Sequence, residues 1–521
     1  MYEYRHKGNN ENVNDDGARI GTWTEVARLQ DEFLLVTWDA TQDPQHPRNW
    51  TPTKKWRNVV LISLQATLSP MTSVILAVAG RAVAEDFGLT DAYTPTLPTA
   101  LFVLGFGLGP LYLAPLSELY GRRAVYLACF AAFTIFNVCC ALSPNMAALA
   151  VFRLLAGMAG SAGPSIGGGT VGDMFSPETR GRAQAFYSFG PTGGSALGGV
   201  LGGFILRGTG SWRWLAWIMA IAAGLTSLAS IFFLHETYAP FLLRQKAAGL
   251  RKATGDVRYC SESEKMGSAP HSSYRVVLRT MTRAVKMLFT SPVCAAMSLY
   301  MAVIYGILYL HMVTLPLLFS TQPLYGLPSY RWPEALTGLS YLGVGLGSVA
   351  GALVSAIFLN RTYVSAKERA ARRRGHNADE SDENMPEYRM PFMQLGACIV
   401  PAGLLIFGLT AREDVHWIAP LIGAAVFSTG MLMTYICVTT YMVDSFETYA
   451  ASALAAVTVS RSILGCIFAF IGNGLYKRLG YQWGTLLLAF LCLAITPLPT
   501  IFYYWGPKLR KMGTFREENR P

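Results

Sequence analysis

Charge is what this sequence has least of. Asp, Glu, Lys and Arg together make up 14% of its 521 residues, against about 25% in ordinary soluble chains, while 52% of residues are hydrophobic. That deficit excludes a soluble globular enzyme. A GxxxxGK[ST] phosphate loop is also missing, so ATP is not the expected energy source. The nine cysteines fall mostly inside apolar runs, without metal-ligand or disulfide-scaffold spacing, and we read them as packing residues. No cofactor or metal is expected. The first 56 residues show no short apolar core followed by a cleavage site, and neither end carries a lipidation motif. The first apolar segment is therefore expected to serve as the targeting signal. The net charge of +11 is spread between apolar segments rather than gathered on one module, which speaks for membrane topology and against nucleic acid.

Long apolar runs are what the sequence has in abundance. A window of about 19 residues, enough to cross roughly 30 Å of hydrocarbon, marks spans at 58–79, 94–118, 124–143, 146–173, 182–206 and 212–234. A polar stretch follows, and further spans lie at 293–318, 335–359, 391–411, 416–441, 451–474 and 481–505. The expected fold is an all-α integral membrane protein of twelve transmembrane helices in two six-helix bundles. Its expected parts are an N-tail (1–56), an N-terminal bundle (57–235), a central loop (236–291), a C-terminal bundle (292–506) and a C-tail (507–521).

With both termini in the cytosol, 34 of the 43 Lys and Arg face inward, seven face outward, and Arg153 and Arg461 remain inside spans. The positive-inside rule supports that orientation. The Asn49 and Asn360 sequons then face the cytosol and are expected to stay unglycosylated. The basic run 361–375 with the acidic 379–383 reads as a solvated, disordered loop. GPSIG at 163–167 fits a nucleophile pattern, but it lies in an apolar helix with no preceding strand, so Ser165 is not read as a nucleophile.

Two halves are also visible as a repeat. DMFSPET (173–179) before span 5 resembles DSFET (444–448) before span 11. Trp212-Arg213-Trp214 opens span 6 as Tyr481-Gln482-Trp483 opens span 12. Paired six-helix halves with a site between them are the expected construction of a transporter.

The loop between spans 2 and 3 reads APLSELYGRR (114–123), which resembles the signature G-x-L-A-D-R-x-G-R-R of the major facilitator superfamily. Gly121, Arg122 and Arg123 match, Glu118 replaces Asp, and Ala114 and Leu119 replace Gly and Arg. DPQHPRNWTPTKKW (43–56), RLLAGMAG (153–160), ETYAPFLLRQKA (236–247), YGILYL (305–310) and YMVDSFETYAASALAA (441–456) are similar to fungal drug:proton antiporters with twelve spans. The resemblance implies the major facilitator fold and a latch in which Glu118 meets the end of span 11 while Arg122 or Arg123 pairs with Asp173. It also assigns Arg153 to proton coupling. In span 5, Gly190, Pro191, Gly194, Gly198 and Gly202 resemble the antiporter signature, with Ser195 and Gly199 in its proline positions. Four-residue spacing puts these glycines on one helix face, and Gly343, Gly347 and Gly351 in span 8 make that span the expected partner.

Arg153 and Arg461 are buried cations that should face a cavity or a partner. His311 is the one histidine in a confidently drawn span, and a backbone hydrogen bond is favoured for it over proton carriage. Tyr300, Tyr305, Tyr309, Tyr341 and Tyr435 offer aromatic faces with hydroxyls, suited to flat ligands. No acid lies mid-span; Glu118, Asp173, Glu236 and Asp444 all sit at inner ends. A neutral or weakly acidic aromatic cargo is favoured over a polycation.

The reading is a proton-coupled efflux transporter at a fungal plasma membrane, exporting small aromatic compounds such as a secondary metabolite (toxin or pigment) or xenobiotic drugs. Its expected partners are a small-molecule substrate and the lipid bilayer, with no nucleic acid and no obligatory protein partner, as a monomer. The alternatives are a polyamine exporter, disfavoured by the absent mid-span acids, and a nutrient-sensing receptor with the same fold but no flux.

Overall fold

The computed structural model describes residues 34–38, 43–176, 179–265, 273–321, 323, 326–374, 385–446 and 449–512. Within the repeat, Pro177, Glu178, Glu447 and Thr448 lie outside the described residues, as do the acidic run 379–383 and most of both tails.

The chain forms two compact units. The smaller comprises Met1–Asp43 and Pro240–Ala269. In it β1 (Leu34–Leu35) pairs in parallel with β2 (Tyr259–Cys260), and Arg251 meets Glu264 at 2.9 Å. The segment expected as a central loop is partly helical, over Ala239–Thr254 and Ser273–Thr290.

The larger unit comprises Pro44–Ala239 and Pro270–Pro521. Its N-terminal bundle contains α1 (Pro52–Ile75), α2 (Leu97–Tyr120), α3 (Arg122–Ala141), α4 (Met146–Met174), α5 (Arg180–Thr209) and α6 (Arg213–Phe233). In the C-terminal bundle are α7 (Pro292–Leu318), α8 (Tyr341–Arg374), α9 (Met390–Thr410) and α10 (Ile418–Ser445). A helical run Ala450–Ile495 completes it, interrupted at Gly480, whose φ of 73° and ψ of 171° leave the helical region. That left-handed φ suits glycine, and it reverses the chain: Gly408 of α9 sits against Thr485, Thr496 donates to the Ala397 carbonyl, and Thr500 donates to Gln394. The run therefore counts as α11 (450–479) and α12 (481–495), which gives twelve spans among the described residues.

Outward faces are apolar, as lipid contact requires. On α6, Ile221, Leu225, Leu228 and Phe232 are all more than half exposed, while Ala216, Met219, Ala223 and Ser230 of the opposite face are buried. A soluble protein reverses that pattern. The protein is a multi-pass membrane protein.

Two expectations are corrected. Residues 361–374 are a helical continuation of α8, not a loop. The sequence AKERAARRR is made of strong helix formers, and the helix already running through the span removes the cost of nucleation. The glycines of α5 and α8 do not face each other. A Cβ on Gly194 or Gly198 would strike the Thr67 or Met71 carbonyl of α1, and one on Gly190 would strike the Thr67 hydroxyl. Gly202 faces Ile75. Gly343, Gly347 and Gly351 face the Leu421, Ala425 and Thr429 carbonyls of α10. Each stripe packs inside its own bundle. Contact between α5 and α8 uses a second small-residue face, where Gly199 meets Tyr341 and Ala196 meets Gly345.

Candidate translocation site

The ends of the larger unit are here called proximal, where α1 begins, and distal. At the proximal end the α2–α3 turn is made by Gly121, whose φ of 86° a side chain would strain. The turn delivers Arg122 to α4: its Nε lies 3.0 Å from Asp173 Oδ2, its Nη1 donates to Ser117 at 3.0 Å, and its guanidinium lies 5.0 Å from the Tyr238 ring. Glu236, past the end of α6, accepts from the Arg122 and Arg123 backbone amides at 3.0 Å each. A carboxylate on the open amides of a helix N-terminus is favoured by both hydrogen bonding and the helix dipole. Arg123 reaches back to the Ile231 carbonyl at 2.8 Å.

Glu118 approaches the start of α11. Gly107 of α2 packs on Ser462 and Thr458, and the two helices run antiparallel, so the rise of about 1.5 Å per residue brings Glu118 level with Ala450. Arg283 stands at that point, donating to Ser452 at 2.9 Å and lying 5.1 Å from the Tyr449 ring, and its charge acts on Glu118.

The C-terminal bundle repeats this arrangement. Arg389, before α9, places Nε 2.6 Å from Asp444 Oδ2 at the end of α10 and its guanidinium 5.0 Å from Tyr363. Beyond α12, Arg510 pairs with Glu387 at 2.8 Å. Glu236 and Arg510 thus occupy matching places with opposite charge. Asp444 was marked by the sequence repeat; Arg389 was overlooked, although it heads the span corresponding to α3.

Between the bundles lies a cavity of about 160 Å³. Its walls come from Ser73 of α1, Phe106 of α2, Pro164 of α4 and Ser195 of α5, with Tyr309 of α7, Val344 of α8, Tyr435 of α10 and Arg461 of α11. These are the same four helices of each repeat. Pro70 and Pro191 also line it, where each proline removes a donor from its helix. The Tyr305 and Tyr309 rings pack at 5.0 Å, tilted by 58°, and the Tyr309 hydroxyl lies 3.5 Å from Ser73. None of the lining residues is acidic.

Past the end of α1 and one turn further along α7 a larger vestibule of about 500 Å³ begins at the distal end, lined by Val78, Arg81, Glu85, Val313, Pro316 and Asn473 among others. The proximal ion pairs each lie inside one bundle, while at the distal end Tyr93 packs on Phe470 and Gly474 and Gly199 meets Gly338, joining the two bundles beside the vestibule.

The remaining singled-out residues lie elsewhere. Arg153 is buried and does not line the cavity; it donates to the Pro98 carbonyl at 3.3 Å and the Thr72 carbonyl at 2.7 Å, with Phe102 4.5 Å away. From α4 it therefore ties the last turn of α1 to the first turn of α2. His311 is buried in the C-terminal bundle between Phe407 and Phe427, with Nδ1 3.3 Å from the Ile307 carbonyl. Tyr300 is buried in that same core, and the Tyr341 hydroxyl donates to the Met312 carbonyl.

Two six-helix repeats enclosing a shared cavity define a membrane transporter. The chain belongs to the Major Facilitator Superfamily, which it matches over residues 62–470. It is similar to the MFS-type transporter penM of Penicillium rubens (39% identical, covering 92% of this chain and 90% of the relative). The efflux pump radE of Floropilus chiversii is 36% identical over 96% of this chain and 90% of the pump. The MFS transporter cpaT of Aspergillus oryzae is 38% identical over 92% of each. Among solved structures, the partially occluded inward-open xylose transporter XylE of E. coli shares the fold, with a TM-score of 0.58 at 13% identity, covering 87% of this chain and 99% of XylE. The chain is a transporter and not an enzyme.

Proposed function

We propose that the protein exports a small aromatic compound, such as a fungal secondary metabolite, by alternating access driven by proton entry at the plasma membrane, with both termini in the cytosol. The observation that carries this reading is the central cavity, where Tyr305, Tyr309 and Tyr435 present rings and hydroxyls and no acid is present to receive a polycation. The name of the relative radE, an efflux pump, supports the direction. The proximal pairs then act as latches that hold the inner helix ends within each bundle. Asp173, Glu118 and Arg122 are the nearest candidates for coupling gate opening to protonation, because a protonated Asp173 no longer holds Arg122 as an ion pair.

Flux of aromatic metabolites and azole drugs into inverted vesicles tests it. Wild type should accumulate cargo against its gradient, uncouplers should stop accumulation, and Asp173→Asn should fail at matched expression. Ligand binding with no flux in wild type would replace the export reading by a receptor.

A further inference from the structure

Arg461 differs both from the arginines at the span ends and from Arg153, the other arginine inside a span. Arg122 and Arg389 meet carboxylates, and Arg153 is held by backbone carbonyls. Arg461 lines the cavity with its guanidinium 4.5 Å from the Tyr305 ring centre and 5.1 Å from that of Tyr435. The titratable groups that act on it are Tyr305, Tyr435 and Tyr309, with no carboxylate among them, and its Nε has no hydrogen-bond partner.

Two aromatic faces explain how such a cation is tolerated. Cation–π attraction compensates part of its charge, and a hydrogen bond to Tyr435 engages part of the guanidinium while leaving Nε unmatched. The planar fork that remains matches a carboxylate or phenolate, which it can hold through paired, charge-assisted hydrogen bonds. Most of the rest of the wall is apolar or aromatic, with Val74, Phe106, Leu308, Met312, Val344 and Met431, and its other polar groups are the hydroxyls of Ser73, Ser195 and Ser348. A cation set among rings and aliphatic side chains selects an anion carried on a flat apolar body.

We propose that Arg461 anchors an anionic group of the cargo, and that the cargo class is the ionised aromatic acid, with its carboxylate or phenolate on the Arg461 fork and its ring system against Tyr305, Tyr309 and Tyr435. This rests on the export reading of the same cavity and narrows it. A neutral isostere of the same shape leaves the Arg461 donors unmatched, and a polyamine meets like charge.

The test uses the full-length chain in lipid nanodiscs, with radiolabelled naphthoate and its methyl ester as probes. Wild type should bind naphthoate about ten-fold to a hundred-fold more tightly than the ester, as expected for a charge-assisted pair. Arg461→Gln should bind both at the affinity of the ester, and Arg461→Lys should recover part of the preference. Retained ester binding and an unchanged thermal unfolding midpoint show that the variants are folded; should Arg461→Gln not fold, Arg461→Lys carries the comparison. Equal binding of the two probes by wild type, a preference that survives Arg461→Gln, or no naphthoate binding by wild type overturns the proposal. Vesicle flux of neutral aromatic compounds separates the two readings: if it persists, export stands without the anion anchor, and if all flux is absent, export falls as well.

Discussion

Arg389 donates through Nε to Asp444 across 2.6 Å at the place in its bundle that Arg122 and Asp173 hold, 3.0 Å apart, in the other. Each pair ties the start of the third helix of a repeat to the end of its fourth. The pairs are partly solvent-exposed, so each is expected to contribute about 1 kcal/mol or less to stability. Their larger effect falls on the balance between conformers, because a bias of that size moves a two-state ratio by several-fold. Asp444→Asn is expected to shift the protein toward proximal opening. Thiol labelling of single cysteines placed at the proximal ends of α2 and α11 measures the shift, and the charge-reversed pair Arg389→Asp with Asp444→Arg should restore part of the wild-type pattern.

Arg153 and Arg461 should separate under substitution. Arg153→Met leaves buried carbonyls of α1 and α2 without their donor, and each orphaned group costs about 1–3 kcal/mol. A lower unfolding midpoint and reduced yield are expected. Arg461→Gln orphans no backbone carbonyl, so its midpoint should stay near wild type while ligand binding changes. Detergent-phase thermal unfolding of both variants, run side by side, decides the matter.

Glycine substitutions offer a graded test of close packing. A Cβ on Gly347 would lie 2.1 Å from the Ala425 carbonyl oxygen, which belongs to backbone and cannot swing away. Gly347→Ala should destabilise by about 1–3 kcal/mol. Gly224 of α6 meets only Thr134 Cγ2, at 3.5 Å. Gly224→Ala should be neutral or stabilise by about 0.5–1 kcal/mol through helix propensity.

Asp86, in the short helix Gly80–Asp86, accepts from the Trp212 indole and the Arg213 guanidinium, and these hydrogen bonds hold its carboxyl below the usual range. A depressed folded-state pKa contributes stability that is present above the unfolded value of about 3.9 and is lost as pH falls through the folded value. The group is well exposed, so the effect is small. Unfolding midpoints of wild type and Asp86→Asn should differ slightly at neutral pH and converge under acid; a gap that widens under acid would contradict this assignment.

Much of the fold was legible because lipid imposes simple rules. Span length, the placement of Lys and Arg, and the repeat before α5 and α11 gave twelve helices and two halves. Charges gathered at span ends seek partners, but Asp173 as the partner of Arg122 was reached through the resemblance to the superfamily signature. Which helix a glycine stripe meets was not legible. The spacing of Gly190, Gly194, Gly198 and Gly202 fixes a face, but α1 or α8 is chosen by the packing of the whole bundle. Arg153 and Arg461 looked alike as lone mid-span cations, and only position distinguishes carbonyl clamp from cavity wall. Glu236 on the α3 amides was hidden because backbone donors leave no trace in side-chain pattern.

The reversal at Gly480 joins α11 and α12 through one residue, far from the Arg389–Asp444 pair. Such a joint leaves no slack: any tilt of α11, which bears Arg461, carries the distal end of α12 with it. Arg461 thus sits on one arm of a mechanical lever whose fulcrum is a single amino acid, so lengthening that junction by a few flexible residues would decouple the arms while leaving every cavity residue unchanged.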